Sequence, residues 1–123
     1  MVIDTNIFIQ FLRTSDKTRS ELYSIDNSSQ LYISAVTLYE LLMGATSKDK
    51  FADIKKLTED LPVLPFDENV SLQAGEIYHF LRKNNKMIEF RDIFIAATCF
   101  NYNLPLKTLN KKHFQRIKNL RLV

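Results

Sequence analysis

The stretch Met1-Val-Ile-Asp-Thr-Asn-Ile-Phe-Ile9 decides the fold, because a short apolar run enters the polar triplet Asp4-Thr5-Asn6 and then resumes. We predict a buried strand that turns into a helix at Asp4. Parallel sheets bind ligands outside the carboxyl ends of their strands, where such a residue would lie. Asp4 is therefore either a helix cap or part of a functional site, and its residue type suits both roles.

Length and composition indicate an ordinary globular chain. The 123 residues are enough for one domain, expected over residues 1–123, and 46% of them are hydrophobic. The longest strongly apolar run, at residues 93–100, is too short to cross a bilayer, and no signal-peptide pattern opens the chain. We therefore expect a cytoplasmic protein with no membrane partner. The single cysteine, Cys99, is expected to be a buried apolar residue.

Charge is unevenly distributed along the chain, whose net charge is +3. No acidic residue follows Asp92, whereas six basic residues do: Lys107, Lys111, Lys112, Arg116, Lys118 and Arg121. A cluster of this kind can bind a phosphate backbone, although a solvated face is the other explanation.

Short β-rich runs alternate with longer helical patterns. We predict strands at residues 2–3, 31–33, 63–64, 105–107 and 120–123. Helices are predicted at residues 6–12, 16–24, 35–43, 49–60, 68–83 and 92–102, with a turn or short helix at 110–114. This alternation predicts an α/β fold with a parallel sheet and helices on both of its faces.

Several helix ends carry recognisable signals. Ser34 and Asp67 are predicted N-caps, and Gly44 is predicted to end its helix in the left-handed conformation. The helix after Asp67 has an amphipathic stripe expected to face the core, formed by Val70, Ala74, Ile77 and Leu81.

Three acidic residues, Asp4, Glu40 and Asp92, differ from the others in their surroundings. Asp4 ends the first strand, Glu40 lies within the apolar segment 35–44, and Asp92 begins a very apolar helix. The other acidic residues considered lie on polar stretches and are expected in solvent: Asp16, Glu21, Asp26, Asp49, Asp53, Glu59 and Asp60.

Glu40 is the most informative of the three. Its neighbours on the same helix face, Val36, Thr37, Met43 and Gly44, give it no polar stripe. A helix that is apolar nearly all round is buried, and a buried carboxylate requires compensation by a positive charge. The alternative is that Glu40 lies at the edge of the helix and reaches water.

Three carboxylates brought together would repel one another, so the cluster is best explained by a bound divalent cation. Oxygen ligands suit Mg²⁺ or Mn²⁺, and the chain does not group the His and Cys residues that zinc prefers. Asp92 can serve such a site and also cap its own helix. A hard cation near a basic segment suits hydrolysis of a phosphodiester.

Four segments of the chain resemble the PIN-domain ribonucleases, most closely the VapC-type toxins of prokaryotic toxin-antitoxin pairs. The segments are Val2-Ile-Asp-Thr-Asn-Ile-Phe-Ile9, Ile33-Ser-Ala-Val-Thr-Leu-Tyr-Glu-Leu-Leu-Met-Gly44, Asp92-Ile-Phe-Ile-Ala-Ala-Thr98 and Leu104-Pro-Leu-Lys-Thr-Leu-Asn-Lys-Lys-His-Phe114. They occur in the family's order, and the resemblance covers almost the whole chain.

The resemblance implies a Rossmann-like three-layer α/β/α sandwich with a central parallel sheet. It makes Asp4, Glu40 and Asp92 the catalytic residues, with Asp4 and Asp92 as direct ligands of Mg²⁺ or Mn²⁺. Thr5 and Asn6 would orient the turn at Asp4. It also implies cleavage of RNA, for example a tRNA or another structured RNA, a homodimer, and silencing by a small VapB-like antitoxin.

The chain departs from the family at residues 108–114. PIN domains often carry a fourth acidic residue at the position of Asn110 or of His113, and a missing carboxylate should weaken metal binding. Asn110 can still support the site through its carbonyl or a held water, while His113 can contact a phosphate or have a structural role. Two alternatives remain: an inactive PIN domain that binds RNA or a protein, and a nuclease that acts on DNA.

Overall fold

Strands and helices alternate along the computed structural model, which describes residues 1–123. The strands are β1 (Val2–Ile3), β2 (Ile33–Ser34), β3 (Val63–Leu64) and β4 (Leu106–Lys107). The helices are α1 (Thr5–Arg13), α2 (Ala35–Met43), α3 (Lys48–Thr58), α4 (Glu68–Lys83), α5 (Phe90–Asn101) and α6 (Lys111–Phe114).

The strands form a parallel sheet in the order β3-β2-β1-β4. Val2 in β1 lies opposite Leu106 in β4, and Ile33 in β2 lies opposite Val63 in β3. A parallel bridge between Val2 and Tyr32 joins the two pairs. Because β4 is added on the other side of β1 from β2 and β3, the strand order reverses between β1 and β4. In open α/β sheets, ligands bind at the carboxyl ends of the strands at such a reversal.

The two faces of the sheet have separate cores. Val2 is fully buried among residues of α4 and α5, whereas the next residue, Ile3, is fully buried among residues of α1, α2 and α3. Alternate residues of a strand point to opposite faces, so β1 contributes to both cores. The predicted three-layer α/β/α sandwich is confirmed. No helix is both long enough and apolar enough to cross a membrane.

Several local predictions are confirmed. The Ser34 side chain accepts a hydrogen bond from the Thr37 backbone, and Asp67 caps α4 in the same way. Cys99 is buried, and burial raises the pKa of its thiol to about 12. The predicted stripe on α4 lies in the core, with all four of its members buried: Val70, Ala74, Ile77 and Leu81.

The polar helix predicted at residues 16–24 is wrong. A 3-10 turn forms instead at Lys17–Arg19, with Asp16 as its N-cap, and hydrogen-bonded turns follow at residues 21–24. The Ser20 hydroxyl donates to the Lys17 carbonyl at 2.7 Å, and Ser20 itself is extended, so the turn ends there. A segment without an apolar stripe has little packing to stabilise a longer helix.

Two predictions about helix ends are also wrong. Gly44 has φ −79°, a right-handed conformation; the left-handed residues are Asn85, Asn103 and Asn119. The Gly44 amide still bonds to carbonyls of α2, so no special backbone conformation is needed. Asp92 does not cap α5, because that helix begins earlier, with Glu89 at the N-cap position.

Three further expectations require correction. The strand predicted at residues 120–123 is reduced to one bridge between Leu122 and Leu106. Helix α2 is not buried all round, since Tyr39 is 63% exposed. Glu21 is not merely solvated, because its carboxylate lies 3.4 Å from Lys107 Nζ.

Candidate active site

The carboxyl edge of the sheet holds a pocket of about 290 Å³, located where β1 and β4 end. Its walls come from the starts of α1, α5 and α6 and from the middle of α2. The lining residues are Asp4, Thr5, Asn6, Ile9, Glu40, Glu89, Arg91, Asp92, Asn110 and His113. The structure therefore brings all three singled-out carboxylates to one pocket, although they are far apart in sequence.

Asp4 is the most buried of these carboxylates, with 4% of the residue exposed. One oxygen accepts a hydrogen bond from the Thr5 amide at 2.8 Å, which caps α1, and the other accepts from the Thr108 hydroxyl at 2.6 Å. Burial raises the pKa of Asp4 to about 6, and the charges of Asp92 and Glu40 add to this shift. Both hydrogen bonds oppose it. Asp4 is thus both a helix cap and a member of the pocket.

Glu40 has both of its oxygens engaged. The Thr5 hydroxyl lies 2.9 Å from Oε1 and also bonds to the Thr37 hydroxyl. Oε2 forms an ion pair with Arg91 Nη1 at 3.0 Å, and 12% of the Glu40 side chain is exposed. The positive charge expected for a buried Glu40 is therefore present, and it belongs to the chain itself.

Asp92 lies in the first turn of α5 and is the least engaged carboxylate in the pocket. No donor forms a hydrogen bond with it, and His113 Nδ1 lies 3.7 Å from Oδ2. Burial, followed by the charge of Glu89, raises the pKa of Asp92, while His113 opposes the shift. Its oxygens are free to bind a cation or a water molecule.

The loop after β4 contributes Asn110 to the pocket and is hydrogen-bonded to Asn6 of α1. The amide nitrogen of Asn6 lies 3.4 Å from the Thr108 hydroxyl, and its oxygen accepts from the Leu109 backbone. Asn110 donates its backbone N–H to the Thr108 hydroxyl, and its side-chain nitrogen Nδ2 lies 2.7 Å from His113 Nδ1. Asn6 and Asn110 thus connect α1 to α6 across the edge of the sheet.

Sequence reasoning missed three residues of this arrangement: Glu89, Arg91 and Thr108. Arg91 and Glu89 were detectable only as charged neighbours of Asp92, and that position alone does not indicate their contact with Glu40 in α2. Thr108 lies in a segment quoted for the family resemblance, but its bond to Asp4 joins residues 104 positions apart. No local pattern predicts such a contact.

The pocket suits a divalent cation in part. Asp4 is buried, forms no ion pair, and accepts hydrogen bonds only from neutral donors. A buried carboxylate without a cationic partner is stabilised in its ionised form by a bound cation. However, no three His, Cys, Asp or Glu side chains converge closely enough to hold a metal ion together. The donors present fit a cation held by two carboxylates and water, a common arrangement for Mg²⁺.

The parallel sheet has helices on both faces and carboxylates at the point where its strand order reverses. These features define the class of protein as an α/β domain with an acidic site at the carboxyl edge of the sheet. The chain belongs to the PIN-domain family, whose model matches residues 1–120, and within it to the VapC group. It is 32% identical over 124 residues to Ribonuclease VapC1 of Haemophilus influenzae strain R2866, covering 97% of this chain and 92% of that one. It is also 32% identical to Ribonuclease VapC of Rickettsia bellii, covering 100% of this chain and 94% of that one.

Solved structures agree with this family. VapBC-1 from nontypeable Haemophilus influenzae superposes with a TM-score of 0.84 at 31% identity, covering 99% of this chain and 95% of that one. The DNA-bound VapBC of Salmonella typhimurium superposes with a TM-score of 0.88 at 27% identity, with the same two coverages. The family resemblance identified from the four sequence segments is confirmed.

Proposed function

We propose that this chain, as one PIN domain over residues 1–123, is a metal-dependent endoribonuclease and the toxin of a toxin-antitoxin pair. The observation that carries the proposal is the shared pocket of Asp4, Glu40 and Asp92, in which buried Asp4 has no cationic partner. Relatives that match nearly the whole chain are named ribonucleases, which supports the same activity.

Asp4 and Asp92 are the residues that would hold Mg²⁺ or Mn²⁺, because Glu40 is already paired with Arg91. When bound, the cation supplies charge stabilisation at the phosphoryl oxygen and lowers the pKa of an attacking water. Asp92 has uncommitted oxygens that can accept a proton from that water. Thr5 and Thr108 fix the orientation of the Asp4 carboxylate, and Asn6 fixes Thr108.

The proposed role of Glu40 is to orient Thr5 and Arg91 and to add negative charge to the pocket. Thr5 donates its hydroxyl to Glu40 and its backbone N–H to Asp4. One residue of α1 therefore holds both carboxylates. Asn110 takes the supporting role at the position where relatives often carry a fourth acid, through its contact with His113.

An RNA substrate agrees with the charges around the pocket. Helix α6 begins directly after Asn110, and its exposed Lys111 and Lys112 flank the acidic site. Basic side chains beside a cation site bind the phosphates of a nucleic acid without reading its sequence. A cellular RNA, such as a tRNA or another structured RNA, as substrate agrees with the predicted cytoplasmic location.

A VapB-like antitoxin is the proposed protein partner. Structures of relatives are described as VapBC complexes. In this chain an open groove of about 440 Å³ runs from Glu40 along α1 towards α3, with Ile9, Leu12 and Ile54 in its walls. A peptide lying in this groove would reach the acidic pocket, which supports silencing by direct obstruction.

A homodimer is the proposed assembly. Phe90 is 62% exposed beside Tyr78 and Phe66, along a groove between α4 and α5. Gly75 lines the same groove, and a Cβ there would meet nothing within 4 Å, so a neighbouring molecule can approach closely. Exposed aromatic groups of this kind mark interaction surfaces.

RNA cleavage by the purified protein tests the activity. We expect cleavage in Mg²⁺ that is lost on chelation and in Asp92→Asn, while Asp60→Asn, a matched change at an exposed acid outside the pocket, retains it. Cleavage that persists in Asp92→Asn, or in the presence of chelator, would contradict the proposal.

One observation favours a second function, that of an RNA- or protein-binding module without catalysis. The pocket lacks a three-ligand cage, and Asn110 and His113 stand where relatives often have an acid. In that case the protein would bind RNA or its partner but leave RNA intact in both Mg²⁺ and Mn²⁺. Substitution of DNA for RNA in the same assay distinguishes a DNA-directed nuclease.

A further inference from the structure

Arg91 occupies an unusual place for a cation. It lies in the first turn of α5, where the helix dipole favours negative charge. Its guanidinium stands at the mouth of the acidic pocket, with Nη1 3.0 Å from Glu40 and Nη2 2.6 Å from Glu89. The side chain is nevertheless 51% exposed.

The two ion pairs of Arg91 contribute differently to the fold. The pair with Glu89, which is itself 66% exposed, contributes about 0–1 kcal/mol, whereas the pair with Glu40, whose side chain is 12% exposed, compensates a largely buried carboxylate. Glu40 retains its hydrogen bond to Thr5 without Arg91. A substitution at Arg91 is therefore expected to cost some stability while Thr5 still holds Glu40, so the folding of each variant is verified directly.

The pairs do orient the guanidinium. A guanidinium has five N–H donors, and Arg91 uses only those that point to Glu40 and Glu89. The remaining donors have no acceptor within the chain and are available at the pocket mouth. A planar guanidinium held in this way matches two oxygens of a phosphate.

The negative charge of the pocket explains why a phosphate would need the free N–H donors of Arg91. Four carboxylates line the pocket and repel a phosphodiester: Asp4, Glu40, Glu89 and Asp92. Arg91 is the one lining residue with a permanent positive charge. A phosphate bound beside Asp4 and Asp92 would therefore share the pocket with this one permanent positive charge.

We propose that Arg91 contacts the phosphodiester of a single-stranded RNA directly at the mouth of the Asp4, Glu40 and Asp92 pocket, with Glu40 and Glu89 holding its guanidinium in place. The inference rests on the proposed function for its substrate class. It adds a substrate-binding residue adjacent in sequence to Asp92. The opposite role, in which Arg91 plugs the pocket and excludes RNA, predicts opposite effects of its removal.

The test compares wild type, Arg91→Gln and Arg91→Lys, with Arg19→Gln as control. Arg19 is exposed in the 3-10 turn and forms no side-chain hydrogen bond or ion pair. Binding of a short fluorescein-labelled single-stranded RNA is measured by anisotropy over a range of salt concentrations with chelator present. Cleavage of the same RNA in Mg²⁺ gives KM and kcat, and circular dichroism verifies folding.

Arg91→Gln should weaken RNA binding about 10-fold, as expected for loss of one charge-assisted contact. The slope of log affinity against log salt should fall by about 0.7, the value for one phosphate contact on a single strand. Arg91→Lys should restore the slope but only part of the affinity, because an ammonium lacks the planar fork. In cleavage, KM should rise more than kcat falls.

Unchanged binding and salt slope in Arg91→Gln, or tighter binding and faster cleavage, would overturn the inference. The second outcome would identify Arg91 as a plug. If wild type binds RNA with this dependence on Arg91 but does not cleave it, the catalytic proposal fails and the inference stands. If wild type cleaves RNA and Arg91→Gln behaves like Arg19→Gln, the catalytic proposal stands and the inference about Arg91 fails.

Discussion

At the scale of single residues, Asp4 shows how one side chain can serve both structure and chemistry. Its carboxylate caps α1 through the Thr5 amide and also faces the acidic pocket. Capping needs only one hydrogen-bond acceptor, which Asn provides as well as Asp, although Asn would lose the second oxygen that accepts from Thr108. The helix therefore does not require a negative charge at this position. Burial disfavours that charge and raises the pKa of Asp4 to about 6. The charge is a cost to the fold when no cation is bound.

Replacing Asp4 with Asn should remove the loss of stability that the metal-free wild type undergoes as pH rises, and it also removes the acceptor for the Thr108 hydroxyl. The pKa of Asp4 is higher in the folded state than its ordinary value of 3.8, so its contribution to stability is complete below 3.8 and lost as pH rises through about 6. At pH 8 the loss is on the order of 3 kcal/mol at most. In urea unfolding with chelator, the free energy of unfolding of wild type should therefore fall relative to that of Asp4→Asn between pH 4 and pH 8.

The comparison is made across pH because loss of the Thr108 bond does not depend on the ionisation of Asp4, whereas the cost of the carboxylate charge disappears towards pH 4. Asp16→Asn is the control, because Asp16 caps an exposed turn rather than a buried helix start. A difference between Asp4→Asn and wild type that stays constant from pH 4 to pH 8 would show that the fold does not raise the pKa of Asp4.

At the scale of elements, the long helices follow their apolar patterns. Helix α4 buries Val70, Ala74, Ile77 and Leu81, the positions predicted from their spacing. The pattern works because a helix places residues three and four apart on the same face. The 3-10 turn at Lys17–Arg19 shows the converse, since its polar sequence offers no such face and a longer helix does not form there.

The stripe on α4 makes a direct prediction about stability. Leu81 is fully buried, whereas Leu72 on the same helix is 63% exposed. Leu81→Ala should cost about 2–5 kcal/mol through lost burial and a cavity, and Leu72→Ala should change the free energy of unfolding by less than about 0.5 kcal/mol. Urea denaturation measures both, and equal losses would mean that the stripe does not face the core.

At the scale of the whole molecule, the strand order creates the site. Asp4 follows β1 and Thr108 follows β4, and these strands are neighbours only because the chain crosses to the other side of β1. Helices α2 and α5 then bring Glu40, Arg91 and Asp92 over the same edge. The pocket is thus a product of topology rather than of any one segment.

Divalent cations should stabilise the whole fold if they bind at this edge. A ligand that binds only the folded state at 100 times its Kd adds about 2.7 kcal/mol. The melting temperature should therefore rise with added Mg²⁺ or Mn²⁺ in wild type and in Asp60→Asn, but not in Asp92→Asn. Differential scanning fluorimetry against a chelator baseline measures this, and an equal rise in all three proteins would place the cation elsewhere.

The sequence by itself determined the α/β/α layers of this protein and predicted Asp4, Glu40 and Asp92 as residues of its site. Apolar periodicity and capping residues act within a few positions of the chain, so they can be recognised locally. The roles of these three residues stay predictions until the experiments above are done.

Only the tertiary structure decided what those carboxylates contact. The bond from Thr108 to Asp4 spans 104 positions and the pair of Arg91 with Glu40 spans 51. Such contacts depend on how strands are ordered and how helices pack across a sheet, and no local pattern encodes that order. For this reason Arg91, which directly precedes the predicted helix at residues 92–102, becomes a candidate for phosphate binding only through the packing of α5 beside α2.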